Sequence, residues 1–137
     1  MDEIQLIRTH SAGVLTGKFK LSFNYSGVVY TTDFIYHNAV AKISDEVQNG
    51  LEGNGIGESM QAKLQGVAAI NTVLVERTRH ISVTAPSNVM AYDWTVTFVS
   101  EPGNLNQLAV AQNSLLSQGG SISTVTIRNG NANVWYN

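Results

Sequence analysis

The chain has 137 residues, a formal net charge of −2 and no cysteine. Its length is that of one domain, and its scattered Lys and Arg residues argue against a nucleic-acid partner, since phosphate binding requires a basic stripe. The absence of cysteine excludes a disulfide scaffold and cysteine-ligated zinc, and no apolar run approaches the ~20 residues that span a bilayer.

The first half of the chain changes from a strand period to a helix period. Apolar and polar residues alternate along three stretches that are predicted as strands: 4–8, 14–24 and 28–36. The first is interpreted as an edge strand or as one exchanged with a neighbour, and Tyr25-Ser26-Gly27 predicts a hairpin turn between the other two. From Ala39 to Leu51, apolar residues recur every three or four positions, which predicts a helix, and a second short helix is predicted from Glu58 to Val67.

The second half of the chain is built around one aromatic stretch. From Tyr92 to Val99, four large apolar residues share one face of a strand: Tyr92, Trp94, Val96 and Phe98. Such a face requires a covering layer, so this strand is predicted at the centre of a sheet, with a turn at Pro102-Gly103. Further strands are predicted at 72–77, 108–110 and 121–128, the last with Val125 and Ile127 against the core.

These elements predict one domain over residues 1–137. Its class is mainly β: a two-layer antiparallel β-sandwich, Ig-like, with one or two short helices inserted after the second strand. Residues 1–12 and 130–137 are candidate exchanged or junction strands, because both ends are apolar where ends are usually polar. They dock either on their own domain or on a neighbouring copy, since sheet edges accept added strands. The candidate interface residues are Ile4, Leu6, Trp135 and Tyr136.

Three ordered stretches of the chain carry a family resemblance. They are Gly17 to Phe23, Ser44 to Glu52 with Ile56-Gly57, and Asp93 to Phe98 with Gly103 to Leu108. In this order they resemble the opening strand, the helix with its following turn, and the aromatic strand of a tandem β-rich repeat found in very large surface proteins of algae, oomycetes and related protists. The stretch from Glu58 to Asn71 is longer than in that repeat. The resemblance implies an extracellular structural or adhesive repeat without catalytic residues.

Residues able to carry chemistry are sparse. The histidines His10, His37 and His80 follow no metal-binding spacing, and a metal site would require the fold to bring them to Asp33 or Asp93. We therefore predict exposed or turn histidines, no metal and no cofactor.

A glycine-rich stretch and an acidic group lie between the two predicted helices. Gly53-x-Gly55-x-Gly57 lacks the further residues of a dinucleotide or phosphate loop, so a flexible linker is predicted. The acidic residues lack the order of a calcium loop and are interpreted as solvated: Asp45, Glu46, Glu52 and Glu58. No nucleophile motif is present, and the chain is not expected to be an enzyme.

The function predicted from these features is a structural or adhesive module of an extracellular fibre, appendage or surface layer, acting through self-association. Only 13% of the residues are charged, about half the usual share, which is common in assembled and cell-surface proteins. Two alternatives remain open: a viral or phage structural protein in a virion, and a carbohydrate-binding module that stacks a glycan on Tyr30, Tyr36 or Trp135. Asn24-Tyr25-Ser26 is an N-glycosylation sequon, which makes Asn24 the candidate glycosylation site.

Overall fold

The computed structural model describes residues 2–80, 91–99, 105–116 and 120–130. Within these ranges the chain forms eight strands, one α-helix and one 3-10 turn. The strands are β1 (Glu3–His10), β2 (Thr16–Tyr25), β3 (Val28–Thr31), β4 (Ile35–Tyr36), β5 (Val73–His80), β6 (Ala91–Phe98), β7 (Ala109–Leu116) and β8 (Ser121–Arg128). The helix α1 spans Met60–Gln65, and the 3-10 turn spans Ile43–Asp45.

The strands form two antiparallel sheets, which confirms the β-sandwich class. Sheet A has the order β5-β6-β1-β8. In sheet B, β2 is central, with β7 along one edge and β3 and then β4 along the other. The aromatic strand β6 is interior in sheet A, as its pattern predicts. The helical segments lie between β4 and β5.

The core lies between β2 of sheet B and β6 of sheet A. The ring centroids of Phe19 and Trp94 are 6.0 Å apart, and those of Phe23 and Phe98 are 6.1 Å apart. The Trp94 Nε1–H donates to the carbonyl of Ala39 at 2.8 Å. This hydrogen bond satisfies the buried indole N–H and holds the segment after β4 against the core.

Strand β1 directs three polar side chains inward together with Ile7, and it directs two apolar side chains, Ile4 and Leu6, outward. Glu3, Gln5 and Thr9 are fully buried, while Ile4 and Leu6 lie half-buried on the opposite face. A strand whose register followed hydrophobicity alone would place these residues the other way round, because a shift of one residue exchanges the two faces.

The buried polar side chains of β1 bind the backbone of other segments. The Glu3 carboxylate accepts from the Gly130 N–H at 2.7 Å. The Gln5 carboxamide accepts from the Leu108 N–H at 2.7 Å and donates to the Asn106 carbonyl at 3.0 Å. It also donates to the Glu3 carboxylate at 3.1 Å. A one-residue slip of β1 would leave these backbone groups unpaired, at about 1–3 kcal/mol for each buried group.

The predicted helix from Ala39 to Leu51 is wrong. The segment contains only the 3-10 turn, and Leu51 is 80% exposed. Its N–H groups bind across a loop instead: that of Val40 donates to the Gly53 carbonyl, and that of Val47 to the Asn54 carbonyl. Gly50 lowers the helix propensity of the segment by about 1 kcal/mol, and the glycines at 53, 55 and 57 favour a loop after it. The hydrogen bonds of the loop are therefore favoured over the helix that the apolar spacing predicts. The second predicted helix is confirmed as α1, shorter at both ends.

The strands differ from their predictions at four places. β1 is an interior strand rather than an edge strand, the predicted strand 28–36 is divided into β3 and β4, and β7 is longer than 108–110. Val125 and Ile127, predicted in the core, lie on the outer face of β8 and are 46% and 58% exposed. The inner face of β8 carries Ile122, Thr124 and Thr126. The Thr124 hydroxyl donates to the Leu108 carbonyl. The predicted turn at Pro102-Gly103 lies outside the described residues.

Replacing Gln5 with Leu tests whether the buried polar network sets the position of β1. The variant loses the acceptor for the Leu108 N–H and the donor to the Asn106 carbonyl, so we expect the free energy of unfolding to fall by about 2–4 kcal/mol in urea denaturation. Gln112→Leu, on the exposed strand β7, is the matched control and should change it by less than about 0.5 kcal/mol. A Gln5→Leu variant as stable as the wild type would contradict this role.

Candidate functional site

Five apolar side chains lie on the outer face of sheet A, and we call them the outer apolar patch. They are Ile4, Leu6, Leu74, Val125 and Ile127. Leu74 is 55% exposed, and with Val125 and Ile127 it is among the most exposed large apolar residues of the two sheets.

The register of sheet A brings these side chains together. Leu6 is directly opposite Val125 on β8 and Thr95 on β6. Ile4 is opposite Thr97, which is in turn opposite Leu74 on β5. Side chains opposite one another on one sheet face are about 4.5–5.5 Å apart at Cβ. The patch is therefore a continuous surface of branched apolar and threonine side chains.

Two ion pairs border the outer apolar patch. Arg8 binds Asp93 through two hydrogen bonds of 2.7 Å, and Lys42 Nζ lies 3.1 Å from a Glu76 carboxylate oxygen. Each pair is neutral as a unit, so neither repels an approaching apolar surface. Arg128, which is opposite Ile4 on β8, adds a positive charge at the edge of the patch. An apolar face of this kind on a folded domain indicates a contact surface.

Of the predicted interface residues, Ile4 and Leu6 lie in this patch, and Trp135 and Tyr136 lie outside the described residues. The sequence pointed to Ile4 and Leu6 because they are apolar near an end of the chain. It missed Val125 and Ile127, because the alternating threonines of β8 are also β-branched, and the pattern does not tell which face is inside.

In the described part of the chain, no group of three or more His, Asp or Glu side chains is arranged to hold a metal ion. His10 ends β1, His80 ends β5, and His37 follows β4. Burial of His37 lowers its pKa, and the nearby charge of Glu52 opposes this shift. The Asp93 carboxylate is bound to Arg8.

The glycine-rich stretch does bind anions, but they are the chain's own carboxylates. The Gly53 N–H donates to Glu58 at 2.6 Å, and the Gly57 N–H donates to Glu46 at 2.9 Å. Both glycines have positive φ, +95° and +82°, which favours glycine. The backbone groups that would approach a phosphate are therefore already bound. The stretch is a hydrogen-bonded loop rather than the free linker that we predicted.

Glu46 also holds the start of α1. The Ser59 hydroxyl donates to it at 2.5 Å, and the Ser59 oxygen accepts from the Ala62 N–H at 3.1 Å as the helix N-cap. Desolvation by burial acts to raise the pKa of Glu46, but the hydrogen bonds from Gly57 and Ser59, together with the charge of Lys63, outweigh it and lower that pKa. Glu46 is therefore bound rather than simply solvated.

A polar depression of about 230 Å³ lies beside α1. Its described lining consists of Thr31, Thr32, Asp33, Gly57, Ala62, Lys63 and Gly66. This lining includes one carboxylate and no histidine, so it offers neither a carboxylate pair nor an imidazole base for acid–base catalysis.

Asn24, the candidate glycosylation site, is exposed near the end of β2. The hairpin turn that follows has Ser26 and Gly27 at φ of 53° and 82°, as a two-residue turn of type I′ requires. The predicted turn is therefore confirmed, and the sequon lies at an accessible hairpin end. Its use stays a prediction.

Over the residues that the structure describes, the chain is a two-sheet antiparallel β protein with one short α-helix. Among the described helices, none has the length and apolar character needed to cross a bilayer. No protein-family model, curated protein or solved structure matches the chain. The resemblance to the surface-protein repeat and the Ig-like relation therefore stay predictions.

Replacing Glu46 with Gln removes the charge that binds Gly57 and Ser59. We expect the free energy of unfolding to fall by about 1 kcal/mol at pH 7, because charge-assisted bonds become neutral ones. Since the folded-state pKa lies below the unfolded value of about 4.3, this contribution is complete above that pH and is lost as pH falls through the folded-state pKa.

The measurement is urea denaturation at neutral and at strongly acidic pH. Glu76→Gln removes the same charge from an exposed ion pair and should have an effect below about 0.5 kcal/mol. A Glu46→Gln deficit of equal size at pH 7 and in strong acid would show that the charge is not its cause.

Proposed function

We propose that this chain is a structural module that works through contact between its own copies, as a repeat or subunit of an extracellular fibre, appendage or surface layer. The observation that supports this proposal is the outer apolar patch. One face of sheet A covers the core, yet its other face also carries five large apolar side chains. A virion component would use the same kind of contact, and both assignments share the proposed mechanism.

A second copy is the occupant that this surface favours. Packed sheets lie face to face about 10 Å apart and interdigitate apolar side chains. On the patch, the short side chains of Thr95 and Thr97 lie between longer side chains of β1 and β5, so β6 forms a shallow groove. The longer side chains of a second copy, related by a twofold axis, would fit into this groove. Such a contact matches apolar with apolar and keeps the neutral ion pairs at its border.

The size of the face indicates how strong this contact is. Four strands spaced about 4.8 Å apart, over about six residues each, give a face on the order of 400 Å² per copy. A standard stable interface buries about 800 Å² per partner. Two free domains therefore associate weakly. Copies linked in one chain or held in one layer reach effective concentrations of about a millimolar, where a weak contact is occupied.

Leu6→Lys and Val125→Lys test this proposal, because each places a charge in the patch without entering the core. We expect the wild type to show concentration-dependent association in sedimentation equilibrium up to about 1 mM, and each variant to remain monomeric over that range. Val29→Lys is the matched control, since Val29 is 62% exposed on sheet B, and it should associate like the wild type.

Urea denaturation of each variant separates loss of contact from loss of folding. Val125→Lys should unfold within about 1 kcal/mol of the wild type. The proposal is wrong if the wild type is monomeric throughout this range. It is also wrong if the folded patch variants associate as strongly as the wild type.

A further inference from the structure

The outer face of sheet B carries three adjacent columns of side chains. The register places Lys18 opposite Tyr36 on one side and Ser114 on the other, and Lys20 opposite Gln112. Because the neighbouring Phe19 is buried in the core, the two lysines point outward. The face therefore has an aromatic column, a cationic column and a polar column. We call it the sheet B platform: Lys18, Lys20, Phe34, Tyr36, Gln112 and Ser114.

Aromatic rings hold the two ammonium groups in place. Lys18 Nζ and Lys20 Nζ each lie 4.5 Å from the centroid of the Phe34 ring, and Lys18 Nζ lies 5.8 Å from that of Tyr36. This is within the range of a cation–π interaction. The ion pairs of the described residues use Arg8 and Lys42, not these lysines. Two like charges are therefore held close together, and among the described residues no carboxylate pairs with either.

This arrangement favours an anionic ligand that also has hydroxyl groups and apolar faces. The two ammonium groups attract carboxylates or sulfates. The rings of Phe34 and Tyr36 offer apolar surface, and the Gln112 amide and Ser114 hydroxyl offer hydrogen bonds. We propose that the sheet B platform binds acidic polysaccharide through its carboxylate or sulfate groups.

The charges around the platform determine which class of ligand can bind and where its acidic group lies. A hydrogen bond to the Glu52 carboxylate, with a smaller contribution from burial, raises the pKa of Tyr36, so this end of the platform is negative. An acidic group therefore binds toward Lys20 and Phe34. Two lysines do not make the longer basic stripe that nucleic acid requires, and the net charge of the chain is −2.

The platform differs from the stacking site that the sequence suggested. Tyr36 belongs to it, but Tyr30 packs against the core, and Trp135 lies outside the described residues. The platform also lies on the opposite sheet from the outer apolar patch. Polysaccharide binding and self-association therefore fail or succeed independently, and Leu6→Lys should leave polysaccharide binding unchanged.

Binding to three polymers tests the inference: polygalacturonate, dextran sulfate and unsulfated dextran, by titration calorimetry of unglycosylated protein. We expect binding to at least one acidic polymer, weakening as salt is raised from about 50 to 300 mM because exposed charges are screened. The preferred acidic polymer identifies the acid group. Lys18→Gln with Lys20→Gln should weaken binding about tenfold, because both charge contacts with the acidic polymer are lost.

The control is Lys42→Gln with Lys63→Gln, which changes the net charge equally at other sites and should retain binding. Phe34→Leu keeps the charge but removes the ring under both ammonium groups, and it should weaken binding several-fold. The inference is overturned if neither acidic polymer binds, or if neutral dextran binds as tightly. Equal losses in the two lysine double variants would also overturn it, because net charge alone would then explain binding.

Discussion

The structure depends on the hydrogen bonds that the buried side chains of Glu3 and Gln5 make to the backbone. These bonds fasten the segment before β7 and the end of β8 to the middle of sheet A. Buried polar groups are stable only when paired, so β1 has one position in which all of them are satisfied. That position directs Ile4 and Leu6 away from the core. The same interaction thus closes the sandwich and creates its apolar outer face.

The two outer faces of the sandwich have different characters. The outer face of sheet A is mainly apolar and is bordered by two ion pairs. The outer face of sheet B holds two ammonium groups over an aromatic ring, and neither belongs to an ion pair of the described residues. With few charged residues in the whole chain, local charge has a large effect on which partner each face selects. A module that contacts its own copies through sheet A and an acidic polysaccharide through sheet B would attach an assembly of copies to that polysaccharide.

Much of the fold follows from local patterns. Strand β6 has strict alternation and three aromatic rings, so its interior position was predictable. Gly27 predicts the hairpin turn between β2 and β3, because glycine adopts positive φ at little cost. The helix predicted from Ala39 was wrong because the prediction used only the spacing of apolar residues. That spacing does not reveal the hydrogen bonds that nearby carboxylates make to the backbone. Glu46 and Glu58 bind the glycine N–H groups of a loop, which stabilises an alternative to the helix.

The sites were harder to predict, because they depend on contacts between distant segments. The sequence singles out Ile4 and Leu6 as apolar residues near one end of the chain. The inward direction of Glu3 and Gln5, however, depends on backbone groups about a hundred residues away. The alternation of β2 places Lys18 and Lys20 on one face, but it does not show which side chains lie beside them. Only the pairing of β2 with β4 places Phe34 beside them.

The orientation of β1 can be measured by thiol labelling, since the chain has no cysteine of its own. Single Leu6→Cys, Val125→Cys and Ile7→Cys variants would be exposed to a thiol reagent in dilute, folded protein. The account predicts that the first two react readily and that Ile7→Cys reacts only on unfolding, since Ile7 is fully buried. Rapid reaction at position 7 with protection at position 6 would mean that β1 faces the other way.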